Sequence, residues 1–186
     1  MGQLDEEQHW IRQSRDGDQE AFAALVTRYQ RMVHSLTFRM TGSLADGEDL
    51  AQETFIQAFR RIASFRGEAK FSSWLYQIAV NTCLNWKKSQ TRRAKANEDW
   101  AQYEKLFGGE CAAMLPDDQE NTLRVQRALM KLPPKQRAAV VLTVYEGLSH
   151  AQAALALGCS ETTISWRLFA ARAKLKRLLS IGSDHD

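Results

Sequence analysis

Cysteine, proline and long apolar runs are all scarce in this 186-residue chain, and each scarcity excludes something. The three cysteines, Cys83, Cys111 and Cys159, lie far apart and form no C-x-x-C pair. Odd in number and wrongly spaced, they argue against a disulfide framework and a zinc site, and suit half-buried thiols in a reducing compartment. The four histidines, His9, His34, His150 and His185, are scattered and never at ligand spacing, so neither a metal nor a cofactor is expected. No apolar run approaches the roughly 20 residues of a membrane-spanning helix. The acidic start, Asp5, Glu6 and Glu7, does not resemble a secretion signal. A cytoplasmic location without membrane insertion is therefore the expectation. With only three prolines (Pro116, Pro133, Pro134), sparse glycine and almost no apolar/polar alternation, the chain reads as all-α.

What is present is a pattern of charge. Residues 1–53 carry ten acids against five bases, residues 54–95 nine bases against Glu68 alone, residues 96–122 seven acids against Lys105, and residues 123–186 ten bases against four acids. The net charge of +3 conceals this alternation. Two basic surfaces separated by an acidic linker suggest contact with a polyanion at two places.

Helical periodicity organises the first half. Phe22, Leu25, Val26, Tyr29, Val33, Leu36 and Met40 form one apolar face between about Asp18 and Met40, ended by Gly42 and Ser43. A second helix, from about Asp46 to Ala63, places Ala51, Phe55, Phe59 and Ile62 inward. Its opening acids, Asp46, Glu48 and Asp49, suit the positive end of the helix dipole, but Glu53 lies a turn beyond them on the same side. After the break at Phe65-Arg66-Gly67, a third helix runs from about Lys70 to Arg93, with Phe71, Trp74, Leu75, Ile78 and Thr82 inward. Gln77, Asn81, Asn85, Lys88 and Arg92 form a separate stripe that leads into Lys87, Arg93 and Lys95. Amides read base edges and cations hold phosphates, although a solvated face remains the alternative.

Residues 94–121 lose periodicity and read as a flexible linker, with transient helix near Trp100 to Phe107. Four short helices follow, over about Asn121–Lys131, Lys135–Glu146, His150–Leu157 and Glu161–Leu179. Pro133-Pro134 opens the second, Gly147 closes it, Ser149 and Gln152 form a capping box for the third, and Ser160 caps the fourth. A short helix, the turn Gly158-Cys159-Ser160 and a longer basic helix make a helix-turn-helix. The last helix carries Arg167, Arg172, Lys174, Lys176 and Arg177 against Glu161, as a major-groove reader should.

These segments resemble, in order, the conserved regions of extracytoplasmic-function sigma factors of the sigma-70 family. Gly17-Asp-Gln-Glu-Ala-Phe22 through Gln30 is similar to region 2.1, and Asp46-Gly-Glu-Asp-Leu-Ala-Gln-Glu-Thr-Phe55 to region 2.2. Phe65-Arg66-Gly67 with Phe71-Ser-Ser-Trp-Leu-Tyr-Gln-Ile-Ala-Val-Asn81 is similar to regions 2.3 and 2.4. Leu132-Pro-Pro-Lys-Gln-Arg-Ala138, Tyr145-Glu-Gly-Leu-Ser149 and Ala171-Arg-Ala-Lys-Leu175 resemble region 4.

The resemblance implies two small helical domains, 1–93 and 121–180, a linker at 94–120 and a tail at 181–186. It implies a non-enzymatic subunit that directs core RNA polymerase to promoters, in a stress or envelope response, with an anti-sigma factor as a further partner that nothing here identifies. Asp46, Glu48, Asp49, Gln52 and Glu53 match the residues that dock on the polymerase clamp helices, and region 4 implies contact with the flap. Phe65, Arg66, Asn81, Asn85, Lys87, Lys88, Arg92 and Arg93 fall where promoter DNA is held at the −10 element. Trp74 also falls there, although its place on the apolar face suits the core. Thr162, Thr163, Ser165, Trp166, Arg167, Phe169, Ala170, Arg172 and Lys174 fall where the −35 element is read.

The chain departs from its relatives at Trp166, where many carry Ser, and at Ala170, where some carry a base-contacting Arg. Whether Trp166 is buried or exposed is open at this level. The rival reading is a helix-turn-helix regulator that acts without polymerase; Asp49 and Glu53 count against it, since a pure DNA binder gains nothing from them.

Overall fold

The computed structural model describes residues 3–96 and 118–180, with side chains over 6–93 and 122–180, and these residues are helical with no strand among them. The linker expected at 94–120 lies mostly outside the described residues. The helices on either side run into it, to Ala96 and from Asp118.

The first element, α1 (Gln3–Arg15), has no counterpart in the apolar periodicity. It is held by Ile11, and by Glu7, which accepts from the Tyr29 hydroxyl at 2.6 Å and pairs with Arg28 at 3.3 Å. Helix α2 (Gln19–Thr41) starts where the Asp18 carboxylate accepts from the N–H groups of Glu20 and Ala21. It ends at Gly42 in the left-handed conformation, φ 79°, whose N–H donates to Phe38 O. Its buried face, Phe22, Leu25, Val33, Leu36 and Met40, is the expected one.

Helix α3 (Leu44–Arg61) is capped by Ser43, whose hydroxyl accepts from Asp46 N at 3.2 Å. Its buried residues are Gly47, Leu50, Ala51, Thr54 and Ala58. The inward face has therefore turned from the expected one: Phe55 is half-buried and Phe59 exposed. Gly47 explains the turn, since a Cβ there would lie 3.2 Å from the Phe38 backbone, so α3 approaches α2 through its small residues. A 3-10 turn (Ile62–Ser64) and a loop lead to α4 (Phe71–Ala96), which buries Leu75, Ile78, Ala79, Val80 and Cys83.

In the second half, α5 (Asp118–Met130) precedes α6 (Pro134–Val140). The single helix expected to reach Glu146 instead passes into a π-helical turn, Val141–Tyr145, and Gly147 (φ 68°) closes it. Helices α7 (His150–Leu157) and α8 (Glu161–Ser180) complete the helix-turn-helix. The capping box is present in both directions, Ser149 Oγ accepting from Gln152 N at 3.2 Å and Gln152 Oε1 accepting from Ser149 N at 2.9 Å.

The halves pack on each other. The small face of α7, with Ala153, Ala154 and Ala156 buried, meets α4. Met130 sits so close to Gly42 that a Cβ there would lie 2.9 Å from its Cγ and Sδ. Gln126 donates to Phe38 O at 3.2 Å, and the Tyr76 hydroxyl donates to Glu146 at 2.7 Å. Arg39 lies 4.0 Å from the same carboxylate and 4.5 Å from the Tyr145 ring centroid. Arg137, buried between the halves, donates to Met40 O on one side and to Leu129, Met130 and Leu132 carbonyls on the other. Burial pushes its guanidinium down to about 10, so it stays charged at neutral pH.

Candidate functional site

Three surfaces carry the candidate residues. On α3, Glu48, Asp49 and Gln52 are exposed, while Asp46 and Glu53 are half-buried. Since Ser43 performs the capping, the acids are not needed for it. Glu53 is steadied by Gln57, whose amide donates to it at 2.9 Å. Beside this edge opens a groove of about 450 Å³ between α2 and α3, lined by Phe22, Val26, Gln30, His34, Glu48, Gln52, Phe55, Ile56, Phe59 and Arg60. Sequence reasoning missed it because it placed Phe55 and Phe59 in the core. Ile56, which belongs to no buried face, was the available signal. Carboxylates bordering an apolar trough suit a basic, amphipathic partner helix.

On α4, Gln77, Asn81, Asn85, Lys88 and Arg92 are all exposed, so the expected stripe exists as one accessible line, and Arg93 is exposed beside it. Two candidates need correction. Phe65 is 7% exposed, its ring packed 5.5 Å from Phe71 and 5.3 Å from Trp74, so it shapes the loop rather than offering a free wall. Trp74 belongs to the same cluster, as its periodicity suggested. Lys87, expected in the basic cluster into which the stripe leads, is half-buried, and its ammonium is pushed down by burial and then by Arg137. It faces the second half of the chain. Arg66 is fully in solvent, 4.0 Å from Glu68, a contact too exposed to fix it.

On α8, Ile164, Leu168 and Ala171 are buried, and the face opposite them projects outward. Trp166 is 64% exposed and Phe169 75% exposed, which settles the open question about Trp166. Thr162 and Arg172 are also exposed, while Arg167, Ala170 and Lys174 are half-buried. Two hydroxyls expected to face a ligand are engaged by neighbouring groups of the protein, Ser165 while still exposed. Thr163 Oγ1 lies 2.9 Å from the capping Ser160 Oγ, and Ser165 Oγ donates to Glu161 O at 3.1 Å and lies 3.2 Å from His150 Nδ1. Arg167 also turns back, reaching Cys159 Sγ at 3.4 Å. Among the described residues no group of His, Cys, Asp or Glu is placed to hold a metal ion, and no helix is long and apolar enough to cross a membrane.

A helix-turn-helix with a basic second helix, joined to a helical half bearing its own basic stripe and an acidic edge, defines a two-part DNA-binding transcription factor. The comparisons make the class specific. The sigma-70 region 2 family matches residues 25–93, and the sigma-70 region 4 family matches residues 122–175. The RNA polymerase sigma-H factor of Pseudomonas aeruginosa is 33% identical over 184 residues, covering 94% of each chain. The ECF RNA polymerase sigma factor SigM of Mycobacterium tuberculosis is 40% identical over 163 residues, 88% of this chain and 79% of that protein. Among solved structures, CnrH in complex with the cytosolic domain of CnrY superposes with a TM-score of 0.69 at 26% identity, covering 96% of this chain and 99% of that one. The chain belongs to the sigma-70 family, and is an RNA polymerase sigma factor of the extracytoplasmic-function type.

Proposed function

We propose that residues 1–93 dock on core RNA polymerase and hold the opened −10 element, that residues 121–180 read the −35 element as duplex and contact the flap, and that 94–120 link them. Asp46, Glu48, Asp49, Gln52 and Glu53 meet basic side chains of the clamp helices, whose apolar side enters the α2–α3 groove. Asn81 and Asn85 bond unstacked bases, while Arg66, Lys88, Arg92 and Arg93 hold phosphates. Catalysis belongs to the polymerase, and the chain works in the cytoplasm in a stress or envelope response. The binding of CnrH by the cytosolic domain of CnrY supports a protein regulator of the anti-sigma kind here too.

The observation that carries the reading is the separation of an acidic, groove-lined edge on α3 from the exposed amide and cation stripe on α4. A regulator acting on DNA alone would have a use for only the second. The test is binding of fluorescently labelled protein to purified core polymerase. Asp49→Lys with Glu53→Lys should weaken it at least tenfold with an unchanged circular dichroism spectrum, because both side chains lie outside the core. Unchanged affinity would refute the docking edge.

A further inference from the structure

The outward face of α8 carries two aromatic rings. Trp166 and Phe169 are three residues apart, hence neighbours on one helix face, and both point away from Ile164, Leu168 and Ala171. The hydroxyls of Thr163 and Ser165 are engaged by the cap and by His150, and Arg167 reaches back to Cys159. Ala170 offers only a methyl group. Thr162 and Ser165 are the exposed hydroxyls in the first turns of the helix, and that of Ser165 is held by Glu161 O and His150. The face is therefore apolar at its centre, while Arg172, Lys176 and Arg177 are exposed further along and beside it. Cations at the rim indicate a polyanion as occupant, and an apolar centre states which of its groups is met.

In the major groove only thymine presents an apolar group, its C5-methyl. We propose that Trp166 and Phe169 form an apolar reading edge that selects thymines in the −35 element by contact with their methyl groups, in place of an arginine fork on guanine. The inference rests on the −35 assignment of α8. The Trp166 ring can add one N–H bond to a base acceptor, but no bidentate pair. Each methyl buried against a ring should contribute about fourfold in affinity.

The experiment uses the holoenzyme formed from core polymerase and the full chain. Promoter duplexes randomised over the −35 region are enriched for binding, and each thymine of the enriched motif is then replaced by deoxyuridine, which removes the methyl and keeps the pairing. The expected result is a thymine-containing motif in which at least one uracil substitution lowers affinity about fourfold. That sensitivity should vanish in Trp166→Ala or Phe169→Ala, with binding to core polymerase unchanged. Both rings are exposed, so neither truncation opens the core. A clear motif in which every uracil substitution is neutral, or in which sensitivity survives both truncations, overturns the methyl reading and leaves the −35 assignment standing. Enrichment of no motif at all overturns the assignment itself, and would leave the rings as the seat of a protein partner.

Discussion

Replacing Arg137 probes how the two halves are held together. The residue is 2% exposed. Nε donates to Leu129 O at 2.9 Å, one terminal nitrogen to Met40 O at 2.5 Å, and the other to Met130 O at 2.5 Å and Leu132 O at 3.2 Å. Met40 lies at the end of α2, and Leu129 and Met130 at the end of α5, so one cation sits at the negative ends of two helix dipoles. A bond to a charged group is worth about 1.5–3 kcal/mol, but burying the guanidinium offsets several kcal/mol of the gross sum. The net loss expected for Arg137→Ala is about 3–5 kcal/mol, the usual effect of breaking a buried charged network. At about 2–4 °C per kcal/mol for a chain of this size, the melting temperature should fall by roughly 6–20 °C. Arg137→Lys keeps the charge without the planar fork and should recover only part of the loss. Urea and thermal unfolding followed by circular dichroism would measure both. Because one of the four bonds crosses between halves, Arg137→Ala should also split a single transition into two. A variant within about 1 kcal/mol of wild type, unfolding in one step, would refute the reasoning.

Asn81→Ala should impair promoter opening while leaving core binding intact, because Asn81 is exposed and supports no packing; normal permanganate reactivity of the melted strand would contradict its role. Tyr76→Phe with Glu146→Gln removes the 2.7 Å bond between halves and weakens the hold of Glu146 on Arg39. It should enlarge the radius of gyration in X-ray scattering at a cost of about 1–2 kcal/mol, and an unchanged scattering curve would show the contact to be incidental. Burial, then the bonds to Glu7 and Glu146, holds the phenols of Tyr29 and Tyr76 protonated above their ordinary pKa of 10.0. The folded state thus keeps protons that the unfolded chain releases, and stability falls as pH rises beyond about 10. Absorbance at 295 nm should show these two of the four tyrosines ionising only with unfolding; all four ionising together in folded protein would be the contrary result.

Local signals were the legible ones. The capping box at Ser149 and Gln152 and the turn at Gly158 depend on residues within a turn or two of each other, and each stands where the local sequence placed it. Helix α1 was not legible, because its anchorage is the distant pair Glu7 and Tyr29 rather than an apolar stripe. The face of α3 was misjudged by the same cause. Aromatic rings outweigh glycine and alanine in any reading of hydrophobicity, yet Gly47, Ala51 and Ala58 are what let α3 close on α2. In the candidate site, residue types were legible and their engagement with neighbouring groups was not. Ser165 and Thr163 are chemically able to read bases, but His150 and Ser160 hold them, and those contacts depend on the angle between α7 and α8.

The packing of the halves bears on how the DNA faces are used. Helix α4 meets α7, and its buried residues, Ala79, Val80 and Cys83 among them, are separate from the exposed Asn81, Asn85, Lys88 and Arg92. Burial pushes the Cys83 thiol up to about 12, against the opposing pull of the Arg137 charge. Helix α8 turns Trp166 and Phe169 to solvent in the same arrangement. Packing therefore hides neither the polar stripe of α4 nor the outward face of α8. It sets the distance between them, and it leaves Lys87 half-buried within the field of Arg137. A promoter whose two elements match that fixed distance would leave the seam closed. If the proposed −10 and −35 contacts are made at a greater separation, α7 has to part from α4 and expose its alanine face, which sets promoter spacing against domain packing.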